Sequence, residues 1–128
     1  MDPVELYRRF LLELWSAPDE DLERLAAEVV SPDFVGYWPD HVVHGPSGLA
    51  EVIKAGREPF DDVNVRLESG PITGEDMVAA RWTFSGKLPD GTPYVLRGAD
   101  VLRVEDGRFA EYWPSSDGVT ANAALSSA

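Results

Sequence analysis

The sequence predicts an α+β fold, with three N-terminal helices packed on one face of an antiparallel sheet. Two patterns predict it. Apolar residues recur at helical spacing through the first part of the chain, and from Val63 onward they alternate with a period of two. Helices and strands segregated in this way argue against the alternating units of a parallel sheet. A third observation sets the scale: 128 residues, 44% of them apolar, suffice for one core without staples.

Each element has its own signal. Asp2 can cap a first helix, with Pro3 at the first helical position and Glu5 three residues after the cap. Leu6, Tyr7, Phe10, Leu11, Leu14 and Trp15 then form one broad apolar face, and Ser16-Ala17-Pro18 breaks the helix. Asp19, Glu20 and Asp21 suit the positive end of a second helix with the stripe Leu22, Leu25, Ala26 and Val29, stopped by Ser31-Pro32. Residues 33–45 are aromatic and broken by Pro39, which reads as a bent strand or edge segment. Pro46 starts a third helix, with Leu49, Val52 and Ile53 on its apolar side, and this helix fades by Gly56.

A four-strand meander follows. Val63, Val65 and Leu67 alternate with polar neighbours, and Gly70-Pro71 and Gly74 mark a connection. Met77 to Lys87 and Tyr94 to Val104 are long strands joined through Pro89-Asp90-Gly91. Glu105-Asp106-Gly107 signals a hairpin into Arg108 to Trp113. The chain reads as a single domain over residues 1–128, with 118–128 a small, polar, loosely held tail.

Composition narrows the function classes. The absence of cysteine excludes disulfides, thiolate metal sites and a cysteine nucleophile. A formal charge of −12, from 23 acids against 11 Lys and Arg, repels phosphate backbones, so no nucleic-acid partner is expected. No apolar run is long enough to span a bilayer, and Met1-Asp2-Pro3-Val4-Glu5 lacks the features of a signal peptide. A cytoplasmic location without membrane contact is the expectation. His41 and His44 sit in a Pro-flanked segment, so their spacing is a weak metal signal and no metal site is assigned.

Strand parity sorts the side chains. Val78, Ala80, Trp82 and Phe84 share an inward face. Tyr94, Leu96, Gly98, Asp100, Leu102 and Val104 share another, which places one acid, Asp100, among aliphatics. A carboxylate so placed must be paired or held protonated. Simple alternation also turns Phe109, Glu111 and Trp113 inward. It leaves Arg81, Arg97 and Arg103 outward beside Val95, Val101 and Tyr112, a mixed face that suits a homodimer contact.

Three stretches resemble the SnoaL-like polyketide cyclase family of the nuclear transport factor 2-like superfamily. They are the strand from Met77 to Gly86, the run from Gly98 to Trp113 closing with Asp117, and the helix entry His44-Gly45-Pro46-Ser47-Gly48-Leu49. The resemblance implies a cone, with a curved sheet wrapped round the first helix and a cavity open at one end. Ketosteroid isomerases share that fold, and Asp100 falls where they keep a protonated acid that donates to a developing oxyanion. Carried over by position, their helix-1 tyrosine falls near Phe10 or Leu11, and their general-base aspartate near Tyr37 or Trp38. Limonene epoxide hydrolases, also of this fold, use an Arg-x-Asp pair, whereas Arg97 and Asp100 here point to opposite faces of a regular strand.

The functional expectation is a cofactor-free cyclase- or isomerase-type enzyme acting on a small hydrophobic carbonyl compound. Asp100 would serve as general acid/base or oxyanion donor, with Asp117 and His44 as further catalytic candidates. Trp38, Trp82, Phe84, Tyr94, Leu102, Glu111 and Trp113 are the candidate ligand-binding residues. A non-catalytic small-molecule binder or dimerisation module of the same fold is the alternative. Both readings include a homodimer through the convex sheet face.

Overall fold

The computed structural model describes residues 1–117. The Asp2 carboxylate accepts from the Glu5 N–H at 2.9 Å, and α1 (Pro3–Arg8) begins where the capping pattern places it. A π-helical segment, Arg9–Glu13, continues it into the short α2 (Leu14–Ser16). Together these turns bury Leu6, Tyr7, Phe10, Leu11 and Leu14. Helix α3 (Asp19–Val29) opens on three acids at its positive end and runs directly into β1 (Val30–Tyr37).

The segment expected to be a bent strand or edge segment is a hairpin at the edge of the sheet. Strand β2 (Val42–His44) folds back antiparallel on β1, and Pro39 lies in the connection, where its missing N–H costs no ladder bond. Gly45, at φ +70°, makes the sharp entry into α4 (Gly45–Arg57).

Strands β3 (Asp61–Gly74), β4 (Met77–Lys87), β5 (Pro93–Glu105) and β6 (Arg108–Ser116) form the meander. The sheet order is β2-β1-β6-β5-β4-β3, with every pair antiparallel except β1 and β6. The expected connection at Gly70-Pro71 is instead part of β3, at an irregularity in its register with β4. An edge strand tolerates a proline there, and the turn falls at Glu75-Asp76.

All the helices cover one face of the sheet. The first helix lies on β3 and β4, α3 on β1 and β6, and α4 on α3, β1 and β2. The Arg57 guanidinium ties the helices together, donating to the carbonyls of Trp15 (3.1 Å) and Ala17 (2.7 Å) at the end of α2. No helix among the described residues is long and apolar enough to cross a membrane. The tail expected over residues 118–128 lies outside the described residues.

One bulge corrects the parity of β6. Asp100 pairs with Pro114 and Leu102 with Tyr112, but Arg103 faces Glu111 while Val104 faces Phe109. Two residues of β6, Ala110 and Glu111, therefore occupy the span of one on β5. Phe109 and Tyr112 both turn inward as a result, and Glu111 and Trp113 turn outward. Tyr112, expected on the convex face, is buried, whereas Trp113, expected inside, is 37% exposed.

Candidate functional site

Asp100 is 1% exposed, in the middle of β5, directly across from Ala80 on β4 and Pro114 on β6. Three donors from three elements converge on its carboxylate. Tyr7 of α1 donates its hydroxyl to Oδ2 at 2.8 Å. Trp82 of β4 donates its indole N–H to Oδ1 at 2.9 Å, and Tyr112 of β6 donates its hydroxyl to Oδ1 at 2.8 Å. The buried acid inferred from strand parity is thus present and fully partnered.

The local sequence makes these approaches possible. Gly98 lacks a side chain where the Trp82 ring crosses β5, and a Cβ there would collide with that ring. Tyr7 lies on the buried stripe of the first helix with Phe10 and Leu14. The β6 bulge delivers Tyr112. Burial pushes the Asp100 carboxyl above the usual carboxylate range, against the opposing pull of hydrogen bonds from Trp82, Tyr112 and Tyr7. Burial first, and then the neighbouring Asp100 charge, raises both tyrosine hydroxyls far above the ordinary phenol range.

The arrangement is a buried carboxyl with two phenols that remain protonated at any physiological pH. It can donate to an oxygen that gains negative charge, or exchange a proton with it, in a setting where water does not compete.

Among the residues singled out in the sequence, Trp82 touches Asp100, and Trp38 packs edge-on against Tyr112 at 5.1 Å. Leu102 is fully buried opposite Tyr112. Phe84 and Tyr94 belong to a separate aromatic group with Trp15 and Phe60. His44 is exposed at the entry to α4. Asp117 is exposed too, accepting from the Arg97 N–H at 2.9 Å, which closes the end of the β5–β6 ladder. His41 bonds to Asp40 at 2.7 Å.

Glu111 and Trp113 are corrected from pocket wall to outer surface. Glu111 accepts from Arg103 (2.7 Å) and Tyr37 (3.1 Å), and Trp113 stacks on Tyr37. Among the described residues no cluster of three or more His, Asp or Glu could hold a metal ion.

Sequence reasoning missed Tyr7 and Tyr112. Tyr7 had a usable signal, since a tyrosine in a buried helical stripe needs a partner for its hydroxyl. Strand parity placed Asp100 inward among aliphatics, one of two inward acids with Glu111. Tyr112 had none, because alternation turned it outward.

The sheet face away from the helices carries a groove of about 630 Å³ lined by Arg66, Arg81, Thr83, Val95 and Arg97 among others. Val95, Val101, Tyr37 and Trp113 are exposed on the same face.

Comparison with known proteins agrees with this architecture. A SnoaL-like candidate polyketide cyclase from Jannaschia sp. CCS1 superposes with a TM-score of 0.80 at 20% identity, over 100% of this chain and 97% of its own. A candidate polyketide cyclase from Bacillus cereus ATCC 10987 gives 0.76 at 26% identity, over 91% and 75%. A protein of ketosteroid isomerase-like fold from Catenulispora acidiphila DSM 44928, solved with trimethylamine, gives 0.73 at 14% identity, over 90% and 86%. No curated protein matches the chain. The SnoaL-like domain family model matches residues 7–112, which hold Tyr7, Trp82, Asp100 and Tyr112, and the chain belongs to that family.

Proposed function

We propose that this chain is a cofactor-free enzyme of the cyclase or isomerase kind, acting on a small hydrophobic carbonyl compound at Asp100. The observation that carries the proposal is the buried Asp100 carboxyl held by Tyr7, Tyr112 and Trp82. Reactions of this class move a proton next to a carbonyl, and charge develops on its oxygen. Asp100 serves as the general acid/base or as donor to that oxygen, with the tyrosine hydroxyls as further donors. Trp38, Trp82 and Leu102 supply apolar wall. His44 and Asp117 have no part in this reading, since both are exposed and Asp117 is engaged with the β5 backbone. The working unit is a homodimer joined through the convex face, where Val95, Val101 and Trp113 are exposed among arginines.

Proton exchange tests the chemistry without knowledge of the substrate. The protein should accelerate deuterium uptake next to the carbonyl of 1-tetralone in D2O, followed by NMR. Asp100→Asn should lower that rate by about 10²-fold or more, the range of a positioned acid/base. A rate no faster than buffer refutes the enzyme.

A second reading has its own support. Both Asp100 oxygens are already bonded within the fold, as in a non-catalytic binder or dimerisation module whose acid only fixes the core. Binding of 1-tetralone without exchange would favour the binder.

A further inference from the structure

We infer that Trp38 is a movable gate over the Asp100 cluster, and that the ligand it admits is a planar, indole-sized ring system bearing a hydroxyl or carbonyl oxygen. This inference rests on the proposed small-molecule site and specifies its entrance and substrate shape.

Three rings pack on Tyr112. Phe10 (5.0 Å, edge-on) and Phe34 (6.5 Å, stacked) are buried, whereas Trp38 is only half-buried. Of these three rings Trp38 alone reaches solvent, so it is the one whose movement would uncover Tyr112.

The two tryptophans near the cluster are held very differently. The Trp82 N–H is fixed on Asp100. Among the described residues Trp38 makes no side-chain hydrogen bond; it rests on ring contacts with Tyr112 and with His41 (5.8 Å, 21° between planes). His41 is itself exposed and tied to Asp40. Trp38 also follows the last residue of β1, and residues 38–41 belong to no strand, so its ring can swing without breaking the ladder.

The bed of the ring defines what replaces it. The indole lies on Gly36, where a Cβ would sit 2.5 Å from its Cζ3. A swung Trp38 leaves a slot one ring thick, floored by the Gly36 backbone and walled by Tyr112. A flat bicycle fits such a slot and a puckered ring does not. Its oxygen would reach the end where the Tyr112 hydroxyl meets Asp100.

The test uses the whole chain labelled with 5-fluorotryptophan, whose four tryptophans are followed by fluorine NMR, with 2-naphthol as flat probe and trans-2-decalol as puckered one. Binding of 2-naphthol should move the Trp38 signal. Trp38→Ala should bind it at least about tenfold more tightly, as expected if the open state is no more than about 10% populated. Gly36→Ala, which forces the ring off its bed while keeping it, should tighten binding likewise.

Equal affinity in all three proteins with an unmoved Trp38 signal overturns the gate and leaves the proposed function intact. That function fails separately, in the Asp100→Asn exchange assay. Binding of the decalol as tight as that of the naphthol overturns the planar ligand. No binding of 2-naphthol to any of the three overturns the inference whole.

Discussion

Tyr7→Phe is the sharpest probe of the carboxyl cluster, because it removes one hydroxyl from a buried stripe and leaves the ring in place. Folding raises the Asp100 pKa, so the native state keeps its proton at pH values where the unfolded chain has released it. Asp100 therefore favours the folded state fully below its unfolded value, about 3.9, and that contribution is lost as pH rises to the raised native value. Below the native pKa the Tyr7 bond joins two neutral groups and is worth about 0.5–1.5 kcal/mol. Above it the acceptor is charged, and the bond is worth about 1.5–3 kcal/mol.

The penalty of Tyr7→Phe should thus grow by roughly 1–1.5 kcal/mol as pH rises through the Asp100 titration. By linkage, the variant's Asp100 must titrate about one pH unit higher than in the parent. Urea denaturation of both proteins at each pH measures the difference, and the other carboxylates cancel in it. Carbon NMR of the labelled aspartate carboxyl reads the titration directly. A penalty constant across the whole range would mean that Tyr7 does not donate to an ionising group, and the reasoning would fall.

Three further outcomes follow from named contacts. Arg57→Ala should cost about 1.5–3 kcal/mol in urea denaturation by stripping the Trp15 and Ala17 carbonyls of their charged donor. Arg57→Lys should restore only a minor part, since one ammonium lacks the guanidinium fork that also reaches Asp19. Gly98→Ala should displace the Trp82 ring, break its bond to Asp100, cost about 1–3 kcal/mol and move the Asp100 titration upward, read by the same carbon NMR. Val101→Glu, on the sheet face away from the helices, should turn a sedimenting dimer into a folded monomer with an unchanged circular dichroism spectrum; a wild-type chain that sediments as a monomer would refute the dimer.

The sequence disclosed the parts of the site that rest on uninterrupted alternation. From Met77 to Gly86 and from Tyr94 to Leu102 no residue is inserted, so Trp82 and Asp100 fall on the face that parity assigns them. The β1–β2 hairpin was half legible, because Pro39 marked a break but nothing local shows that β1 will lie parallel to β6, some seventy positions later. Tyr7 was visible as a member of an apolar stripe. Its role was not, because the positional carry-over from ketosteroid isomerases pointed to Phe10 or Leu11, on the next turn.

The β6 bulge was the hidden step, and it shapes the site as well as the error. Were β6 to run through Ala110 and Glu111 without the bulge, Tyr112 would face outward and Glu111 and Trp113 inward, as simple alternation had it. Asp100 would then lose one of its two donors on Oδ1 and gain a second carboxylate nearby, and two buried acids with few donors repel each other. The bulge instead sends Glu111 out to Arg103 and Tyr37 and brings in a phenol. The bulge thus leaves one acid in the interior with three donors. Chemistry at Asp100 depends on that isolation, and so does any structural role the acid has.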